Sequence, residues 1–342
     1  MCWKGIEYAA ARQKNTTAKI TSQHGEIYSK IEKYYGIDYS KQYAVANEQA
    51  IDDYKRIIKQ YNIDCDLEAQ KAYLYSTDDK EILLKELKSA EKAGINCYYQ
   101  KHLDLPFDTK GAVVFDNQAQ FNPLKFVQGF VDRITVYEKT PVIKIEKNVV
   151  QTAKARVSAK HIVVASHYPF VNLPSLYFLR LSRERSYVLG LKNTGFAIEG
   201  MYIGTGNDTI SIRQYKDLTL LGGAAHRTGT DVNENRFEVL TKKAQTLFPH
   251  FEEVYRWSAQ DCVSLDNLPY IGTFSQKNNN IYVATGFNKW GMTTSMAGAR
   301  IICDMICTVQ PRIFAQTIQP VCCHKQYDNQ WSRNDKGLLF LS

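Results

Sequence analysis

The stretch Asn280–Ile306, NIYVATGFNKWGMTTSMAGARIICDMI, constrains the fold more than any other part of the chain. Ile281 to Ala284 is a short β-branched and apolar run, the pattern of a buried strand. Gly286 and Gly291 then bracket a polar turn. From Met292 the apolar positions fall at 292, 296, 299, 302/303 and 306, one face of a helix. Strand, glycine turn and helix together aim backbone N–H groups and a helix N-terminus at an electron-rich ligand edge. The same arrangement also serves as a plain strand-to-helix crossover, so the turn alone does not assign a ligand.

The rest of the chain supplies two kinds of strand. Lys160–Ser166 (KHIVVAS) is a continuous β-branched run, expected of a strand buried on both faces of a parallel sheet. Gly111–Asp116 is also strand-like, and short strands are expected over Ile134–Tyr137 and Pro141–Ile145. From Arg185 to Leu221 the pattern changes to alternation (RSYVLGL, FAIEGMYIG, TISIRQY, LTLLGG), which predicts antiparallel strands joined by Gly- and Asn-containing turns. Helices are expected over Tyr39–Tyr61, over Asp79–Ala93 with Gly94 as stop, from Asn122-Pro123 to about Arg133, and over Asn233–Phe248. Asn15–Gly25, rich in Thr and Ser, reads as a polar loop or helix start, with a solvated loop as the simplest assignment.

Three further stretches join the glycine turn in a common pattern: NTTAKITSQHG at Asn15–Gly25, AKHIVVASHYPF at Ala159–Phe170 and SAQDCVSLDNLPYIG at Ser258–Gly272. With ATGFNKWGMT they resemble FAD-dependent oxidoreductases of the D-amino-acid oxidase/glycine oxidase superfamily. The similarity is strongest to the bacterial branch that often carries a C-terminal Rieske domain. The matches run in family order from about Asn15 to about Val309. The resemblance implies an α/β fold, α+β overall: a doubly wound FAD-binding domain with a parallel sheet, and a substrate domain of antiparallel sheet and helices. Its implied domain boundaries are 1–40, 111–175 and 256–309 for the FAD domain, 41–110 and 176–255 for the substrate domain, and 310–342 as an irregular tail. A single Cys322-Cys323-His324 triplet cannot supply the two Cys and two His of a Rieske centre, so no iron–sulfur cluster is expected.

The resemblance also assigns sites. Thr16, Thr17 and Lys19 are nearest the positions that pass the flavin, Val142 lies near the adenine side, and Ser166 and His167 end the buried strand where open sheets bind ligands. Gly286, Asn288, Lys289, Gly291 and Met292 form the last flavin-contacting turn. Lys289 is placed to set its ammonium near the pyrimidine edge of the flavin, or is a solvated turn lysine. Arg213 and Tyr215 on SIRQY are candidates to clamp a substrate carboxylate, Arg by its two-pronged fork, with Arg227 as the competing anchor and structural ion pairing as the alternative for each. The implied function is oxidation of an amine or amino acid by hydride transfer to FAD; the alternative is a non-catalytic remnant or binding protein retaining the substrate domain.

No G-x-G-x-x-G occurs anywhere in the sequence. In the family that fingerprint lies on the first strand, in the middle of the parallel sheet, and its helix N-terminus holds the FAD pyrophosphate. The expectation is therefore an N-terminally truncated member, from a disrupted gene or a misplaced start, with weak or absent FAD binding. Two unpaired sheet edges would follow, or a partner chain would supply the missing strand. The net charge of +8 is spread along the chain, and no zinc-finger, RNP or basic-helix pattern accompanies it, which argues against a nucleic-acid partner. No apolar run approaches a membrane span, no signal peptide leads the chain, and eight scattered cysteines without a C-x-x-C pair suit reduced thiols; a cytoplasmic location is expected.

Overall fold

The computed structural model describes residues 2–3, 15–171, 175–206, 209–230, 234–275, 278–307 and 338–341. In chain order the elements are β1 (Cys2–Trp3), β2 (Lys19–Ile20), α1 (Ile27–Tyr35), α2 (Ile37–Tyr61), β3 (Glu68–Tyr75), α3 (Lys80–Lys92), β4 (Cys97–Gln100), β5 (Ala112–Gln120) and α4 (Pro123–Gln128). There follow β6 (Val136–Tyr137), β7 (Val142–Glu146), β8 (Val149–Thr152), β9 (Arg156–Ser158), β10 (His161–His167), β11 (Leu181–Lys192), β12 (Met201–Gly204), β13 (Ser211–Tyr215) and β14 (Leu218–Arg227). The chain continues through α5 (Arg236–Leu247), β15 (Glu252–Ser264), β16 (Tyr270–Ser275), β17 (Asn278–Thr285), α6 (Gly291–Cys307) and β18 (Leu338–Leu341).

Two sheets organise the molecule, as the two strand patterns predict. The first has the order β16-β17-β10-β18-β1-β6. Within it β10 and β17 are parallel, with Ile162 opposite Ile281 and Val164 opposite Val283. Their side chains are buried, as continuous β-branched runs require. The second sheet runs β15-β11-β14-β13-β12-β3-β5-β2, with β4 added on β5. Its β11, β13, β14 and β15 are antiparallel, whereas β12 and β3 pair in parallel. A small third sheet, β7-β8-β9, packs Val142, Val150 and Val157 against Ile162 and Val164.

The middle of the first sheet differs from expectation. β18, from the tail expected to be irregular, lies parallel to β10 on one side and to β1 on the other. The place between β10 and β1 is thus filled by the chain's own residues rather than left as two open edges. Leu339 sits opposite Ile162, and Phe340 opposite both Val163 and Cys2. The Cys322-Cys323-His324 triplet lies outside the described residues.

Sheet membership also differs from the expected segment boundaries. β5, expected in the FAD domain, pairs with β2, β3 and β4 in the nine-stranded sheet, and β15 forms that sheet's other end. The Asn122-Pro123 helix stops at Gln128 and is followed by a 3₁₀ turn, Val131–Arg133. Asn122 caps α4 as expected, accepting from the Leu124 and Lys125 amides; Asp79 likewise accepts from Glu81 and Ile82 at α3, and Asn235 from Phe237 at α5. The start of α1 lacks such a cap of its own. Glu86 on α3 supplies it, taking the Tyr28 amide at 2.8 Å and the Ser29 amide at 2.9 Å. Burial pushes that carboxyl up to about 7.

The Thr/Ser-rich stretch after Asn15 is not solvated. Ala18, Ile20, Thr21, Ser22, Gln23 and His24 are all buried. Side chains substitute for regular backbone pairing: Gln118 Oε1 accepts from the Ser22 amide at 2.7 Å, Thr21 Oγ1 from the Gln23 amide at 2.9 Å, and the Ser22 carbonyl from Tyr28 OH at 2.9 Å. These bonds satisfy much of the buried polar segment, while Gln23 Nε2 is left without a partner.

Candidate functional site

The glycine turn begins where β17 ends beside β10. Thr285 Oγ1 donates to the His167 carbonyl, so the carboxyl ends of the two parallel strands are tied together. Gly286 has φ +70°, and a Cβ there would lie 3.2 Å from Leu181 Cδ2 and 3.3 Å from Ser264 Cβ. Asn288 and Lys289 follow at φ 50° and 72°, a left-handed pair that reverses the chain in front of α6. The Asn288 amide donates to the Cys262 carbonyl at 3.1 Å, and Asn288 Oδ1 accepts from the Ser264 amide at 2.8 Å. The turn is thereby fastened to the end of β15. Gly291 opens α6, whose first-turn amides have no partner within the helix.

The buried segment 15–24 faces the other side of this turn. The His24 ring stacks on Trp290 with centroids 4.8 Å apart. Its Nε2 lies 2.7 Å from the Thr21 carbonyl and its Nδ1 2.5 Å from Tyr43 OH. A carbonyl only accepts, so Nε2 carries the proton and Nδ1 accepts from Tyr43. Burial pulls the imidazole down to about 3, which keeps it neutral. Thr293 Oγ1 on α6 also donates to the Thr21 carbonyl at 2.9 Å, and Tyr54 OH to the Met292 carbonyl at 3.2 Å. Met292 packs with Ala18 and Ile20.

One face of the nine-stranded sheet closes the site. Trp257 Nε1 donates to the Asn15 carbonyl at 3.0 Å. Glu184 lies opposite Arg227 and Asp261 in the register of β14, β11 and β15, and its carboxylate meets Lys289 Nζ at 2.8 Å. Arg213 is buried. Its Nε donates to the Thr17 carbonyl, and its Nη1 to Gln120 Oε1 at 3.1 Å and the Gln214 carbonyl at 3.3 Å. Burial lowers its pKa to about 10. Lys19 Nζ donates to the Tyr202 carbonyl at 3.1 Å and to Ser211 Oγ; burial, then the nearby Arg213 charge, brings it down to about 7.

The structure gathers Gly286, Asn288, Lys289, Gly291, Met292 and His167 with the segment holding Thr16, Thr17 and Lys19. Ser166 and Val142 stand apart from that turn: Ser166 Oγ donates to the Tyr168 carbonyl at 3.1 Å, and Val142 packs among the residues of the small sheet and β10. Tyr215 is engaged elsewhere, its OH donating to Asp66 at 2.8 Å and accepting from Asn122 at 3.0 Å. Arg213 is spent on backbone and glutamine contacts and crosses the Tyr215 ring at 5.7 Å. Sequence reasoning missed Glu184, Asp261 and Trp290. Trp290 and Asp261 lay inside quoted motifs, whereas Glu184 carries no local signal, since strand register alone brings it to this face.

Comparison with known proteins decides the family. The sequence matches the profile described as FAD dependent oxidoreductase (DAO) over residues 7–305. The chain belongs to the DAO family of FAD-dependent oxidoreductases. It is 34% identical over 308 residues to YhfW of Bacillus subtilis (strain 168), a protein named for a Rieske 2Fe-2S centre, covering 85% of this chain and 60% of that protein. It thus spans less than two thirds of that relative. It is 26% identical over 318 residues to gamma-glutamylputrescine oxidoreductase of Escherichia coli (strain K12), covering 81% of this chain and 70% of that one. The fold is shared with glycine oxidase from Geobacillus kaustophilus, with a TM-score of 0.73 at 14% identity, covering 89% and 86% of the two chains.

The residues of this DAO-family chain fit the ring half of FAD. A Cβ at Gly286 would crowd Leu181 and Ser264, and the first-turn amides of α6 have no partner within the helix. The sequence holds no G-x-G-x-x-G for the pyrophosphate, and among the described residues no strand leads into such a turn. Among the described residues no helix is long and apolar enough to cross a membrane, and no cluster of His, Cys, Asp and Glu is arranged to hold a metal ion.

Proposed function

We propose that this DAO-family chain is an oxidoreductase domain for an amine or amino acid, with FAD seated between the turn Gly286–Met292 and the buried segment Asn15–His24. The observation that carries this reading is the convergence of that turn, His24 and the Glu184 face of the nine-stranded sheet at one junction. The family membership and the similarity to gamma-glutamylputrescine oxidoreductase support it. FAD supplies the hydride acceptor, so the protein itself must bind, orient and shield. In this reading the first-turn amides of α6 and Lys289 hold the electron-rich ring edge, and Glu184 fixes the direction of the Lys289 ammonium. Neutral, buried His24 backs the turn through its stack on the half-buried Trp290. Arg227, opposite Glu184 in the register of β14 and β11, is the charged group at this junction that would orient a substrate carboxylate.

The absence of a G-x-G-x-x-G and the seating of β18 between β10 and β1 favour a second reading, a domain that binds substrate-like ligands without turnover. Anaerobic mixing of the protein, at saturating FAD, with a panel of amines and amino acids separates the two. Bleaching of the flavin absorbance by at least one member of the panel supports the oxidoreductase; flavin bound but unbleached by every member overturns it.

A further inference from the structure

The nine-stranded sheet has a second charged face, turned away from the glycine turn. Along β11 the side chains alternate: Glu184 reaches Lys289, while Arg185 and Tyr187 point toward α5. Arg185 lies opposite His226 on β14 and Gln260 on β15, so all three share the α5 side. The His226 ring stacks on Tyr187 at 5.8 Å, and Tyr187 meets Phe237 of α5 edge-on at 4.8 Å. That contact sets Arg236, the first residue of α5, over the same spot.

The donors gathered there lack acceptors. Arg185 Nε, His226 Nδ1, Arg236 Nε and, two residues on from His226, Thr228 Oγ1 are buried atoms without a hydrogen-bond partner. Arg185 makes a single long contact, from Nη2 to Gln260 Oε1 at 3.5 Å. Among the described residues no carboxylate pairs with Arg185 or Arg236. Near Arg236 on α5, Glu238 accepts from Asn235, and Glu234 is exposed. The remaining cations of the face are Arg183, over the Tyr168 ring, and Arg256, over Phe237. His226 is held below its ordinary value by burial and then by the Arg236 and Arg185 charges. Two guanidinium groups and an imidazole that converge with no counter-charge among the described residues are the donor set of an oxyanion site.

We propose that Arg185, His226 and Arg236 bind a small oxyanion, the carboxylate or phosphate group of a metabolite, on the α5 side of the sheet, separate from the flavin junction. The bound group accepts from both arginine forks and from His226 Nδ1, with the Tyr187 and Phe237 rings walling one side.

The test is binding of sodium phosphate and of sodium malonate to the full 342-residue chain, by calorimetry and by thermal denaturation at constant ionic strength. Saturable binding with a rise in Tm is expected for at least one anion, together with an upward shift of the His226 titration followed by NMR. Phosphate alone assigns a phosphate-bearing ligand, and malonate alone a carboxylate. Arg236→Gln and Arg185→Gln should each weaken binding at least tenfold, while Lys242→Gln on the exposed side of α5 leaves it unchanged. Should Arg185→Gln fail to fold, Arg236→Gln decides by itself. No saturable response to either anion, or a response that Arg236→Gln retains in full, overturns the proposal.

Discussion

His24 and Trp290 stack with ring planes 19° apart, and this contact joins the buried segment after Asn15 to the glycine turn 266 positions later in the chain. His24 is neutral in the fold because burial holds it at about 3, against about 6.5 in an unfolded chain. Between those values the unfolded chain binds the extra proton. The contribution is therefore complete above about pH 6.5 and is lost as pH falls toward 3. At about 1.4 kcal/mol per pH unit the ceiling is about 5 kcal/mol. Replacing His24 by Gln should flatten the acid limb of the urea-denaturation profile over that range; equal acid limbs in the two proteins would rule out the buried neutral ring. Glu86, raised to about 7, acts in the opposite sense, favouring the fold below about pH 4.5 and losing that contribution as pH rises to 7. It does so equally in both proteins and cancels from the comparison.

Gly286→Ala tests the turn. A methyl group would press on Leu181 and Ser264 at a residue whose φ is +70°. Loss of about 1–3 kcal/mol is expected from the strained backbone and the close approach together. Thermal denaturation reads it, and an unchanged Tm would show that the turn relaxes freely.

Arg213→Met separates a substrate clamp from a structural tie. The substitution leaves the Thr17 carbonyl and Gln120 Oε1 without their buried donor. Stability should fall by about 3 kcal/mol, and the Lys19 pKa should rise once the Arg213 charge is gone. A variant of normal stability that loses substrate affinity alone would restore the clamp role.

Leu339→Pro tests β18. The residue lies between two parallel neighbours, where a proline removes a ladder N–H and is found only at edges or bulges. A lowered Tm and concentration-dependent aggregation are expected on light scattering, as two strand edges open. A variant that melts and scatters like the parent would show that β18 contributes nothing to the sheet.

The strands that were legible in the sequence are those whose composition matches their burial. KHIVVAS and IYVA are β-branched runs, and they pair in parallel at the centre of the first sheet. Glu68–Tyr75, EAQKAYLY, has no β-branched residue, and its strand state comes from β5 and β12 on either side. Such tertiary pairing leaves no local trace. The same holds at the site. Gly286 and Asn288 announce a turn by residue type, whereas the Glu184–Lys289 pair needs a register set over 105 positions of chain. Thr21, Ser22 and Gln23 read as solvent-facing because their partners, among them Gln118 and Thr293, are distant in sequence.

The central proposal is that the glycine turn of this DAO-family chain holds the ring half of FAD, and that without a G-x-G-x-x-G the cofactor is held weakly. Charge-assisted hydrogen bonds are worth about 1.5–3 kcal/mol each, and about 1.4 kcal/mol is tenfold in affinity. Losing three of them weakens FAD by three or more orders of magnitude. Equilibrium titration of the 342-residue chain with FAD, followed by flavin fluorescence, tests this directly. The account predicts saturable binding in the micromolar range or weaker, lost on gel filtration. Stoichiometric FAD carried through gel filtration, or no saturable binding at any concentration, would contradict it.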